Sequence, residues 1–168
     1  MDDWKSRISI EHPCWNGFRD MLDNLDGGAF PGPHQLSGLL PEDLTSHGGQ
    51  PILFVPSGGI PGLPYERHIY ETGQVSTREE SWHDLFNALV WCRLPQLKVA
   101  MNALHYQHLE EESGGRRGKQ RDALTLFDES GVIVTGSLAG VLEALAARDW
   151  QQAFVGCDEA WAGEIQVL

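Results

Sequence analysis

Five polar side chains near the middle of the chain, His83, Asp84, Asn87, Asn102 and His105, are of the types that ligate metals, move protons or orient a substrate. All are mediocre helix formers in a stretch with helical spacing, where a face turned to water usually carries Lys, Glu, Gln or Ala, so each needs a compensating role. The chemistry they suggest is divalent-metal-dependent hydrolysis of an anionic substrate. His83 and Asp84, with Asp122 or Asp128, would ligate the ion, His105 would serve as acid or base, and Arg121 would hold the anion. A nuclease of the His-Asn-His sort would use His83, Asn87 and His105, although its usual frame puts the first His on a strand. His105, His108 and Glu112 can also share a helical face as ligands. The competing role is structural. A hydrogen-bonded network or ligand-binding groove, joined by Asn102, Arg121, Asp122 and Asp128, is the leading expectation, because a covered polar stripe must be hydrogen-bonded.

Two consecutive helices must position these groups. Thr77 and Glu80 stand in capping-box spacing before a helix whose Trp82, Leu85, Phe86, Leu89 and Val90 form one arc, with His83, Asp84 and Asn87 on the next. Pro95 can open a second helix with Leu97, Ala100, Met101 and Leu104 as its apolar stripe and Lys98, Asn102 and His105 as a second polar row. The short connection predicts an αα-hairpin that brings both rows to one dehydrated seam.

Upstream, residues 1–50 are interrupted by Gly and Pro and read as a loop-rich arm; Ile52–Val55 reads as a short buried strand, and a helix follows from Pro64 through Tyr65, Ile69 and Tyr70 to a stop at Gly73. Downstream, Arg116, Arg117, Lys119 and Arg121 make a basic loop suited to a small anionic ligand or a protein partner. It is not a P-loop, since Ser113 and Gln120 replace required residues. Ala123–Phe127 and Val132–Thr135 flank Asp128, Glu129, Ser130 and Gly131, the composition of a β-hairpin turn. Ser137 caps a helix carrying Leu138, Val141, Leu142 and Leu145, and Trp150, Ala153, Phe154, Trp161, Ile165 and Leu168 supply further apolar edges.

Composition narrows the classes. A net charge of −12 disfavours nucleic acid and anionic membranes. Three scattered cysteines fit neither a disulfide framework nor a cysteine zinc site and suit reduced thiols in a cytoplasm. No leader or spanning segment is visible, so the expectation is soluble and cytoplasmic. Ser57 lacks a nucleophile elbow, Cys92 has no evident base, and Gly58, Gly59 and Gly62 do not match a dinucleotide fingerprint.

The pieces TR at 77–78, WHDLFNALVW at 82–91, Pro95, Lys98, Asn102 and His105, RDALTLFDESG at 121–131, RDWQQAFV at 148–155 and FVP at 54–56 together resemble the bacterial domain of unknown function family 3025. The resemblance covers about two thirds of the chain and implies no activity. It does imply a further His-containing helix beyond the stop at Leu168, so that a site could be incomplete here. The expected architecture is a mostly helical α+β single domain with a small antiparallel β-hairpin: arm 1–50, family-like core 51–156, and a truncated-looking end 157–168.

Overall fold

The first fifty residues coil through two 3-10 turns, Trp4–Arg7 and Pro13–Trp15, and two short helices, α1 (Arg19–Asp23) and α2 (Pro33–Ser37). The computed structural model describes residues 3–58, 63–111, 118–136, 139–161 and 165–167, in two compact units, 1–124 and 125–168, each taken by itself. Irregular as it is, the N-terminal segment is anchored by its large side chains. Trp4 is buried, donates its Nε1–H to Asp26 O at 2.8 Å, and packs on Phe30 and Trp82. Leu22, Leu25, Leu36 and Leu44 are buried in the same cluster, each worth roughly 1.5–3 kcal/mol relative to exposure.

The strand expected at Ile52–Val55 forms one residue later as β1 (Leu53–Pro56). It leads through α3 (Tyr65–Thr72) to β2 (Gln74–Thr77), which pairs with β1 in parallel, Leu53 opposite Gln74 and Pro56 opposite Thr77. Parallel pairing requires a crossover, and α3 is that crossover. Gly73 ends α3 in the left-handed conformation at φ 71°, turning the chain straight into β2. Phe54 on β1 and Val75 and Thr77 on β2 are buried, whereas Val55, Gln74 and Ser76 are half-buried on the opposite pleat. The outer edge of β1 is closed by Ser37, whose hydroxyl accepts from Phe54 N at 2.9 Å and donates to Phe54 O at 3.3 Å.

Two longer helices complete this unit: α4 (Trp82–Arg93) and α5 (Pro95–Glu111), joined at Leu94 and packed on one another as the hairpin predicts. The capping-box expectation is corrected. Thr77 belongs to β2 and donates to Val75 O, and Ser81 is the N-cap of α4, accepting from Asp84 N at 3.3 Å. α5 also packs along α3, where Tyr70 and Tyr106 stack at 3.9 Å.

The predicted hairpin at 123–135 does not form. Its first strand and its turn are helical, in α6 (Lys119–Ser130), because KQRDALTLFDES satisfies helical spacing as readily as strand composition. β3 (Val134–Gly136) instead pairs antiparallel with the distant β4 (Ile165–Val167), a contact that no local pattern announces. Between them lie α7 (Ala139–Ala147), a π-helical turn at Gln152–Gly156 and α8 (Asp158–Trp161). In this second unit Val141, Ala144, Ala153 and Ala160 are buried, and Trp161 donates to Ala153 O at 2.7 Å. The result is a mostly helical α+β protein with, among the described residues, one parallel and one antiparallel two-stranded sheet. Ser137, Leu138 and Leu168 lie outside the described residues.

Candidate functional site

The turn from β2 into α4 is held by one carboxylate. Asp84 sits in the first turn of α4, where the helix dipole favours negative charge. Its Oδ2 accepts from the Arg78 backbone N–H at 2.7 Å and from Arg78 Nε at 3.0 Å, and its Oδ1 accepts from Arg78 Nη2 at 2.7 Å. Hydrogen bonding from the Arg78 side chain, aided by its backbone N–H and by His83, holds the Asp84 carboxyl well below the usual carboxylate range against the opposing effect of burial. The same pair raises the Arg78 guanidinium further.

His83 Nδ1 lies 2.9 Å from Asp84 Oδ1. Opposite an ionised carboxylate Nδ1 must donate, which leaves Nε2 of the neutral ring as an acceptor; Arg78 Nη2, 3.4 Å away and itself a donor, is a neighbour and not a second partner. The ring is 74% exposed, so His83 stands in water at a rim and not in a dehydrated seam. One turn on, Asn87 Nδ2 donates to Tyr65 OH at 3.4 Å.

The second polar row faces elsewhere. Asn102 is 2% exposed and donates Nδ2 to Glu66 O at 2.8 Å and to Glu66 Oε2 at 2.7 Å. Lys98 and His105 flank it, both buried, with Lys98 Nζ 5.6 Å from the Trp91 ring centre. The two rows therefore do not meet each other. Each is tied to α3, at the adjacent residues Tyr65 and Glu66, and α3 is the element that sequence reading did not connect with them.

Behind Tyr65 a cavity of about 380 Å³ opens beside the carboxyl end of β1 and along the half-buried face of β2, with α3 as its other wall. Val55, Pro56 and Leu63 give it apolar walls; Tyr65 and His68 face it from α3, and Gln74 and Ser76 from β2. His68 is buried, with Thr72 Oγ1 3.3 Å from Nδ1. None of these four polar residues is a site residue in the sequence reading. A weak signal was there in Gln74-Val75-Ser76-Thr77, where β-branched Val75 and Thr77 alternate with Gln74 and Ser76 behind Gly73.

Arg121 is half-buried and Asp122 exposed on α6; Asp128 is exposed on the part of α6 in the second unit. Among the described residues no three His, Cys, Asp or Glu side chains come together as a metal ion needs. Of the two histidines in the His-Asn-His expectation, His83 is exposed and His105 is buried. Glu112, Arg116 and Arg117 lie outside the described residues. Among the described residues no helix is long and apolar enough to cross a membrane.

No curated protein and no solved structure matches the chain. The family model described as protein of unknown function (DUF3025) matches residues 52–168, from just before β1 to the last residue, and takes in the cavity, the Arg78–Asp84 pair and both polar rows. With 117 of its 168 residues under that match, the chain belongs to this family.

Proposed function

We propose that this protein binds a small organic molecule in the cavity between α3 and the half-buried face of β1 and β2. The observation that carries the reading is the cavity itself: about 380 Å³, within the usual range for ligand sites, with apolar walls and a few convergent polar groups. In this reading the Arg78–Asp84 pair locks the β2–α4 turn, Asn87 orients Tyr65, and Asn102 fixes α3 from the other side. The polar rows hold the walls of a site and need not touch the ligand. An ¹⁵N NMR screen with a small-fragment library tests this. Shared hits should perturb the amides of Val55, Leu63, Tyr65 and Ser76 and disappear in Ser76→Phe, which fills the space; hits scattered over the surface and untouched by Ser76→Phe would overturn it.

A second reading adds acid–base chemistry, favoured by the 2.9 Å contact between His83 and Asp84, which orients Nε2 outward. Tyr65 links the two regions, since it lines the cavity, accepts from Asn87 and lies in the electrostatic range of Arg78. Turnover of a bound ligand should then be lost in His83→Ala while binding survives; unchanged turnover would refute the role.

A further inference from the structure

The chemistry of the cavity wall narrows what can bind there. This step rests on the binding reading above. Around the cavity the polar side chains of the fold are mostly committed: Thr77 to Val75 O, Thr72 to His68 O, Ser46 to Tyr70 O, Asp84 to Arg78, Asn102 to Glu66. The Gln74 amide and the Ser76 hydroxyl are different. Both are half-buried, both line the cavity, and among the described residues neither side chain has a hydrogen-bond partner. Their polar atoms are not sealed from solvent, so two uncommitted groups side by side on one pleat are open to a partner that enters the cavity.

That partner must match what these groups offer. A glutamine amide presents an acceptor and a donor in one plane, the complement of another amide or of a nucleobase edge. Ser76, two residues along the same strand face, adds a donor and acceptor about 7 Å away. Among the described residues the lining contains no Asp, Glu, Lys or Arg, so a charged ligand would lose hydration without gaining a counter-charge, and the chain's charge of −12 adds repulsion for an anion. Val55, Pro56 and Leu63 suit a flat apolar body. We infer that the cavity takes an uncharged, planar ligand bearing an amide-type edge, a carboxamide or a nucleobase, read by Gln74 and Ser76.

Benzamide, benzoate and benzamidinium share one ring and differ only in the head group, so they test the inference directly at pH 7.5, with uridine as the nucleobase arm. In NMR titrations of the whole protein, benzamide should shift the Gln74 side-chain amide and saturate with a Kd on the order of millimolar, as a ligand of this size allows. Benzoate and benzamidinium should bind at least about tenfold more weakly. Gln74→Glu, which offers two acceptors, should invert the preference toward benzamidinium, a change that a merely structural role for Gln74 would not produce; Gln74→Leu should abolish the discrimination while keeping the fold. Tighter uridine than benzamide binding assigns the nucleobase, and the reverse a simple carboxamide. Equal binding of all three head groups, or a Glu variant with unchanged preference, would overturn the inference. If no probe binds but library fragments still mark the cavity, the amide class is wrong and the binding reading stands; if the fragments also miss the cavity, both fall.

Discussion

Replacing Asp84 by Asn changes one atom and the charge, and the surroundings of that carboxylate decide the cost. Every neighbour donates: the Arg78 backbone N–H and Nε on Oδ2, Arg78 Nη2 and His83 Nδ1 on Oδ1. Asparagine accepts at only one of the two positions and must turn an NH₂ toward donors at the other. Arg78 is 61% and His83 74% exposed at the side chain, so solvent screens their contacts and those add little. The main loss is the buried charged acceptor beside the Arg78 backbone N–H, about 2 kcal/mol, or a melting temperature lower by about 4–8 °C for a chain of this length. The pH dependence follows from the depressed carboxyl. Its stabilisation is complete above the unfolded Asp value of about 3.9 and declines as pH falls toward the folded value, by about 1.4 kcal/mol per unit, so the gap between wild type and Asp84→Asn should shrink by about 1 kcal/mol from pH 6 to pH 3. Urea unfolding followed by tryptophan fluorescence at the two pH values measures both quantities. A gap at pH 6 under about 0.5 kcal/mol, the range of an unremarkable surface change, or one that does not narrow in acid, would show that the carboxylate is not the fastening described.

Gly73→Ala should destabilise by at least about 2 kcal/mol, because the residue sits at φ 71° and a Cβ there would run into the Pro51 carbonyl; an equilibrium urea curve gives the value. Leu89, 2% exposed in the core, should cost roughly 3 kcal/mol as Ala, with a lower urea midpoint and unchanged slope. Burial pushes the Cys92 thiol up to about 12, so a brief iodoacetamide pulse at pH 8 followed by mass spectrometry should label exposed Cys14 and spare Cys92 until the protein is unfolded.

Local signals were legible and non-local ones were not. Gly73 as a stop and Pro95 as a start follow from steric rules that act over a few residues, whereas the burial of α5 does not follow its apolar stripe, since Ala100 and Leu104 are exposed and Lys98, Asn102 and His105 are buried. The parallel pairing of β1 with β2 joins residues separated by a whole helix, and β3 finds its partner some thirty residues on; neither distance leaves a trace in composition. The segment 123–130 deceived for a related reason, since its apolar and β-tolerant residues serve either state and packing decides. In the site, Asp84 and Asn87 stood out by residue type, but Gln74, Ser76 and His68 did not, because a glutamine or serine is ordinary anywhere and gains meaning only from the cavity beside it.

The family match starts at residue 52, yet the indole of Trp4 lies against Trp82, and Leu22, Leu25, Leu36 and Leu44 share one apolar cluster with Val75, Leu85 and Leu89. A recombinant fragment cut at that border would leave greasy residues of the matched region without their roof, and Phe54 without the hydroxyl that seals its strand. The segment before residue 52 therefore covers part of the interior of the matched region.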